Sequence, residues 1–242
     1  MSQVDFISLL FLALLGLALG FGLMVLGWML AVHRRDRLVQ KQILSPAQNF
    51  SLFPPPAVRR PESWLAIRAV SPEAVRLALG LGRTEPCSWA EGLSGGHEFF
   101  ISPRVHGWVI VTGQGLPNPT DDVDATFLFL TALSRQLGHV QYFYASRRLR
   151  HHAWARLDDG CVTRAYAWAD GTVWNQGTET LPEIEADVKL SGYGEPPSAL
   201  HDAEANFEKV PQLAARWSLD PAQVKLNSFH PATGIAGKSA FR

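Results

Sequence analysis

The chain has 242 residues, 47% of them hydrophobic, and its 22 basic and 22 acidic side chains balance. A formal net charge of zero excludes bulk attraction to nucleic acid, and eight Trp among 10% aromatic residues exclude a disordered chain. Cys87 and Cys161 are the two cysteines. They stand far apart and outside any metal-binding spacing, which fits a reducing compartment, although one bridge between them stays open.

From Phe6 to Val32 no side chain is charged. At about 1.5 Å per residue a helix of this length spans roughly 40 Å, more than the roughly 30 Å hydrocarbon core of a bilayer. A buried core helix would carry a polar stripe, and this run has none. A cleaved signal peptide would want basic residues ahead of a shorter apolar core, whereas Met1 to Asp5 hold none. The run therefore predicts a single transmembrane helix, in which Gly16 and Gly20 have the spacing of a helix-pairing face. Asp5 flanks one end, and Arg34, Arg35, Arg37 and Lys41 flank the other. Basic residues favour the cytoplasmic side, so the short N-terminus is expected outside and the rest of the chain in the cytoplasm, on the inner membrane.

Residues 33–62 read as a juxtamembrane linker. Pro54-Pro55-Pro56 within it favours an extended, semi-stiff spacer. A globular domain is expected over 63–229, opening with the strand WLAIRAV from Trp64. Ser71-Pro72-Glu73 supplies an N-cap, a first-turn Pro and a first-turn acid, so a helix carrying Val75, Leu77, Leu79 and Leu81 follows, ended by Gly80 or Gly82. EPCSWAEGLSGGHE reads as a loop with Trp89 buried. EFFIS (98–102) and GWVIVTG (107–113) are two strands of an antiparallel hairpin.

Thr120 is placed to cap the next helix, with Asp121 and Asp122 in its first turn. Phe127, Leu130, Leu133 and Leu137 recur along it at spacings of three and four, and Gly138 stops it. Residues 139–176 then alternate as a strand meander with turns at Asp159-Gly160 and Asp170-Gly171. Alternation sets Trp154 and Arg156 on one face and Ala153, Ala155 and Leu157 on the other. PEIEADVKL is a helical turn or an edge strand, FEKVPQLAARWSLDPAQVKL is two short helices, and 230–242 is expected as a loosely ordered tail. This order of elements implies an α+β domain whose antiparallel sheet is packed by helices on one face.

The chemistry-bearing residues do not assemble into a catalytic signature. His97-Glu98 lacks the second His of a metalloprotease motif, since Ile101 stands there. His151 and His152 are adjacent and point to opposite faces of a strand, so they do not chelate together. With Arg147, Arg148 and Arg150 they read as a solvated basic strip. Gly113-Gln114-Gly115 and Ser94-Gly95-Gly96 match neither phosphate-loop nor dinucleotide spacing. No cofactor and no metal is expected. Two acidic stretches stand out as surfaces for a basic partner: Asp121, Asp122 and Asp124, and then Glu179, Glu183, Glu185 and Asp187.

WLAIRAV, PCSWAEGL, FFISPRVHGWVIVTGQGLP and LSRQLGHVQYFYASRR together resemble immunity proteins of type VI secretion systems, which pair with nuclease toxins. The resemblance covers about residues 64–177 and implies a non-enzymatic protein that inhibits a single toxin partner. A membrane anchor departs from that pattern. The sequence thus points to a membrane-anchored cytoplasmic binding protein that neutralises a cognate secreted toxin. Two alternatives stand beside it: a tethered hydrolase using His97, Glu98, His139 or Asp159, and a structural assembly factor of an envelope machine.

Overall fold

The structure, a computed structural model, describes residues 60–68, 71–195, 205–224 and 233–239. The apolar run, nearly all of the linker, Gly16 and Gly20 lie outside the described residues. Among the described residues no helix is long and apolar enough to cross a membrane.

Among the described residues these elements follow in order: β1 (Ser63–Arg68), α1 (Pro72–Ala78), β2 (Leu81–Cys87), α2 (Trp89–Leu93), β3 (Phe99–Ile101), β4 (Trp108–Thr112), α3 (Val123–Leu137), β5 (Val140–Ala145), β6 (His152–Asp158), β7 (Cys161–Trp168), β8 (Thr172–Gln176), α4 (Leu181–Glu185), a 3-10 turn (Ala205–Glu208), α5 (Val210–Trp217), a second 3-10 turn (Pro221–Gln223) and β9 (Gly234–Ser239). The strands form one nine-stranded sheet in the order β2-β9-β3-β4-β1-β5-β6-β7-β8. Every pairing in it is antiparallel. An α+β domain built on an antiparallel sheet with helices is therefore what the chain forms.

Helices cover both faces of the sheet, where one was expected. Val75 and Leu79 of the α1 region and Leu130 and Leu133 of α3 pack with Leu65, Ile67, Val109, Val111 and Tyr142. On the opposite face Trp89 and Leu93 of α2 and Val210, Leu213, Ala214 and Trp217 of α5 meet Trp64, Phe100, Phe143, Trp154 and Tyr166. The reason is visible in β1, where Trp64, Leu65, Ala66 and Ile67 are all inaccessible. A strand that is apolar at consecutive positions needs cover on both sides. The 3–4 spacing of α3 places Leu130 and Leu133 inward as expected, while Phe127 sits at the rim with its ring 6.2 Å edge-on from Trp174.

Several local expectations shift. Ser71 caps α1 and accepts from the amide of Ala74, but the helix stops at Ala78 and Leu81 already belongs to β2. The stretch read as a loop holds β2 and α2, the latter closed by a capping box in which Ser88 and Glu91 satisfy each other's backbone amides. Asp122, not Thr120, caps α3. The Thr120 hydroxyl is spent on the Asn118 side chain at 2.9 Å. PEIEADVKL starts within the helix α4, which runs Leu181–Glu185 and ends at the cap residue Ala186. The tail expected to be loose contributes β9, inserted between β2 and β3. Arg60, read as linker, is fastened by its guanidinium to the buried carboxylate of Asp220 at 2.7 Å.

Candidate functional site

The two acidic stretches have different fates. At the start of α3, Asp121, Asp122 and Asp124 are exposed. Asp122 is partly committed, since its side chain accepts the Ala125 amide at 2.9 Å. One turn on, Leu128 keeps 65% and Phe127 37% of its surface in solvent. Positions 124, 127 and 128 share one helix face, so this face joins the Asp124 carboxylate to two exposed apolar groups.

The second stretch is not a partner surface of four carboxylates, because most of its charge is consumed internally. Glu183 is fully buried, and its carboxylate takes four donors: Arg164 Nε at 2.8 Å, Trp154 Nε1 at 2.7 Å, and the Thr180 amide and hydroxyl at 2.7 Å each. Glu185 pairs with Arg216 at 3.7 Å. Asp187 pairs with Lys189 at 2.6 Å and Lys209 at 3.2 Å, bonds that hold its carboxyl below the usual carboxylate range. Glu179 stays exposed.

The basic strip also divides. His151 lies 3.7 Å from the Asp170 carboxylate. His152 is fully buried, with its ring stacked 5.5 Å from Trp168 and 5.7 Å from Trp154. Burial pushes the His152 pKa down to about 3, so it adds no positive charge near neutrality.

Of the residues considered for hydrolysis, His139 and Asp159 stand apart from His97 and Glu98. His139 Nδ1 bonds the carboxylate of Asp158, and its Nε2 lies 2.9 Å from the Gln141 amide nitrogen. That amide also donates to the Trp217 carbonyl at 3.3 Å, which identifies the nitrogen as the group facing His139. The imidazole is therefore neutral, with its proton on Nδ1 and its Nε2 lone pair occupied. Burial lowers the His139 pKa and outweighs the opposing hydrogen bond from Asp158. A histidine whose free nitrogen is already filled ties β5, β6 and α5 together and has no lone pair left to activate a nucleophile.

His97 and Glu98 do converge. Both line a cleft of about 320 Å³ together with Arg83, Thr84, Glu85 and Lys238. His97 Nε2 lies 3.5 Å from the thiol of Cys87. Burial, with Glu91 and Glu85 nearby, pushes that thiol's pKa up, which opposes formation of a thiolate. Among the described residues no group of three metal-ligating side chains is assembled.

Sequence reasoning missed β2 and β9, the strands that frame this cleft. For β2 the signal was its Arg83-x-Glu85 polar edge, interrupted by Pro86 in a manner suited to an edge strand. No family model, no curated protein and no solved structure matches this chain.

Proposed function

We propose that this protein is a non-enzymatic, membrane-anchored binding protein whose domain lies in the cytoplasm and neutralises a cognate nuclease-type toxin by one-to-one association. The observation that supports this reading is the exposed face of α3, where Asp124 shares a face with Phe127 and Leu128, with Asp121 exposed just ahead of the helix. Carboxylates steer a basic, nucleic-acid-seeking surface into contact, and protruding apolar groups then supply buried area. The test is co-purification with the product of a neighbouring toxin gene, together with rescue from its toxicity. Leu128→Arg is expected to abolish both. Absence of binding at micromolar concentration to any adjacent toxin counts against the reading.

A second reading, a tethered hydrolase, has one observation in its favour: His97 and Glu98 line the same cleft, with Cys87 behind His97. Against it, Glu98 is engaged by the Ser239 amide at 3.3 Å, and the thiol is held protonated by burial.

A further inference from the structure

The cleft beside β2 has a construction and a charge pattern that the association proposed above does not use. Strand β2 runs out of register with β9 between Leu81 and Thr84, a bulge that interrupts the ladder where Arg83 sits. Bulges of this kind re-aim side chains and are common at sites. Lys238 arrives from β9 and His97 from the turn before β3, so three separate segments bring a cationic or protonatable group to one cavity.

Arg83 and Lys238 share the wall with the carboxylates of Glu85 and Glu98, so the formal charges balance, but they are not joined in pairs. Arg83 and Lys238 make no ion pair among the described residues. Of the two carboxylates in the wall, Glu98 accepts from the Ser239 amide, which leaves Glu85 as the one lacking a hydrogen bond among the described residues. At Gly237 an added Cβ would come within 2.9 Å of Thr84 and 3.2 Å of the Arg83 carbonyl, so glycine there lets β9 approach the bulge closely. Gly96 is different. An added Cβ would meet nothing closer than the Ser94 hydroxyl at 3.6 Å, and Gly96 lines the cleft.

We propose that this cleft binds a small oxyanion, a phosphate or carboxylate group, held between Arg83 and Lys238 with His97 as a further donor. Arg83 offers a planar fork of N–H groups and Lys238 a point charge, a combination suited to an oxyanion. A volume of about 320 Å³ accommodates a ligand of metabolite size, at the small end of ordinary binding pockets.

The experiment uses the full chain in detergent, with inorganic phosphate or acetate exchanged for chloride at constant ionic strength and binding followed by chemical-shift titration. Saturable binding of one of the two anions is expected, and which of them saturates identifies the headgroup chemistry. Arg83→Gln with Lys238→Gln is expected to weaken it by about tenfold or more, the loss of one or two charge-assisted hydrogen bonds. Gly96→Leu keeps every charge and fills the cavity, and it is expected to abolish binding with the unfolding midpoint unchanged. No saturation by either anion overturns the proposal. So does binding that survives Gly96→Leu, since exposed cations alone then account for it.

Discussion

The guanidinium of Arg164 and the carboxylate of Glu183 meet at 2.8 Å with both side chains closed off from solvent. Arg164 Nη1 also bonds the carbonyls of Ala165 and Gln176 and the Asn175 side chain, while Glu183 reaches Trp154 and the cap of α4. The pair therefore fixes α4 onto β6, β7 and β8. Removing one partner strands a buried charge. Glu183→Ala is expected to destabilise the domain by about 3–5 kcal/mol, measured by urea unfolding. Replacing both with apolar residues, Arg164→Met and Glu183→Leu, is expected to recover much of that loss. Equal losses in the single and double variants would count against the charge as the cause.

Acid should loosen the domain through His152. Its Nδ1 lies 3.4 Å from the Arg150 carbonyl, and Nε2 is buried without a hydrogen-bond partner among the described residues. Protonation would place an unmatched N–H in the aromatic stack. The folded pKa, about 3, lies below the ordinary 6.5, so the unfolded chain binds the proton first. Stability is then full above pH 6.5 and falls as pH drops toward 3, by up to about 1.4 kcal/mol per pH unit. His139, also lowered by burial, adds a loss of the same sign as pH falls below 6.5. His152→Phe is expected to flatten the stability-versus-pH curve between pH 6 and about 4, and an unchanged slope refutes the assignment.

How much of this was readable in advance differs by element. The meander of β5 to β8 followed from alternation and two Asp-Gly turns, and Asp159 and Asp170 do adopt the left-handed backbone such turns require. The Ser88-x-x-Glu91 and Thr180-x-x-Glu183 spacings are capping-box signatures, yet the first stretch reads as a loop and the second as either a helical turn or an edge strand. Strand β9 was not legible. GIAGKS has little strand propensity, and its place is set by neighbours: a Cβ at Gly234 would come within 2.4 Å of the Phe100 ring. Glu183 reads as one acid among four until Arg164, nineteen residues away, is brought beside it. Long-range pairing of that kind leaves no periodic trace in a sequence.

Close packing makes Gly92 intolerant of any side chain. A Cβ there would lie 2.3 Å from the Phe100 ring, which is itself inaccessible and has no room to yield. Gly92→Ala is expected to cost about 1–3 kcal/mol by overpacking, read as a lowered unfolding midpoint. Gly95→Ala tests a different cost, because an added Cβ meets nothing there and its positive φ supplies the whole penalty. A smaller loss at Gly95 than at Gly92 is the expected order.

The cytoplasmic placement proposed for the domain rests on the charges around the apolar run, Asp5 before it and Arg34, Arg35 and Arg37 after it. Alkaline phosphatase fused after Arg242 is expected to be inactive, and a cytoplasm-dependent reporter at the same point active. The reverse pattern would move the domain across the membrane and remove a cytoplasmic toxin as its target.

The two thiols should report compartment and packing together. Cys161 is exposed at the start of β7, whereas Cys87 is buried against the core with its pKa raised. Thiolate fraction and access both set the rate of attack on a disulfide reagent, so one thiol per chain is expected to react quickly in the native protein. The second should appear only on unfolding. Fast reaction of both would mean that the contact between Cys87 and His97 opens readily, and Cys87→Ser would then remove one fast phase. That outcome would favour the hydrolase reading, because it would make Cys87 accessible from the cleft that His97 lines.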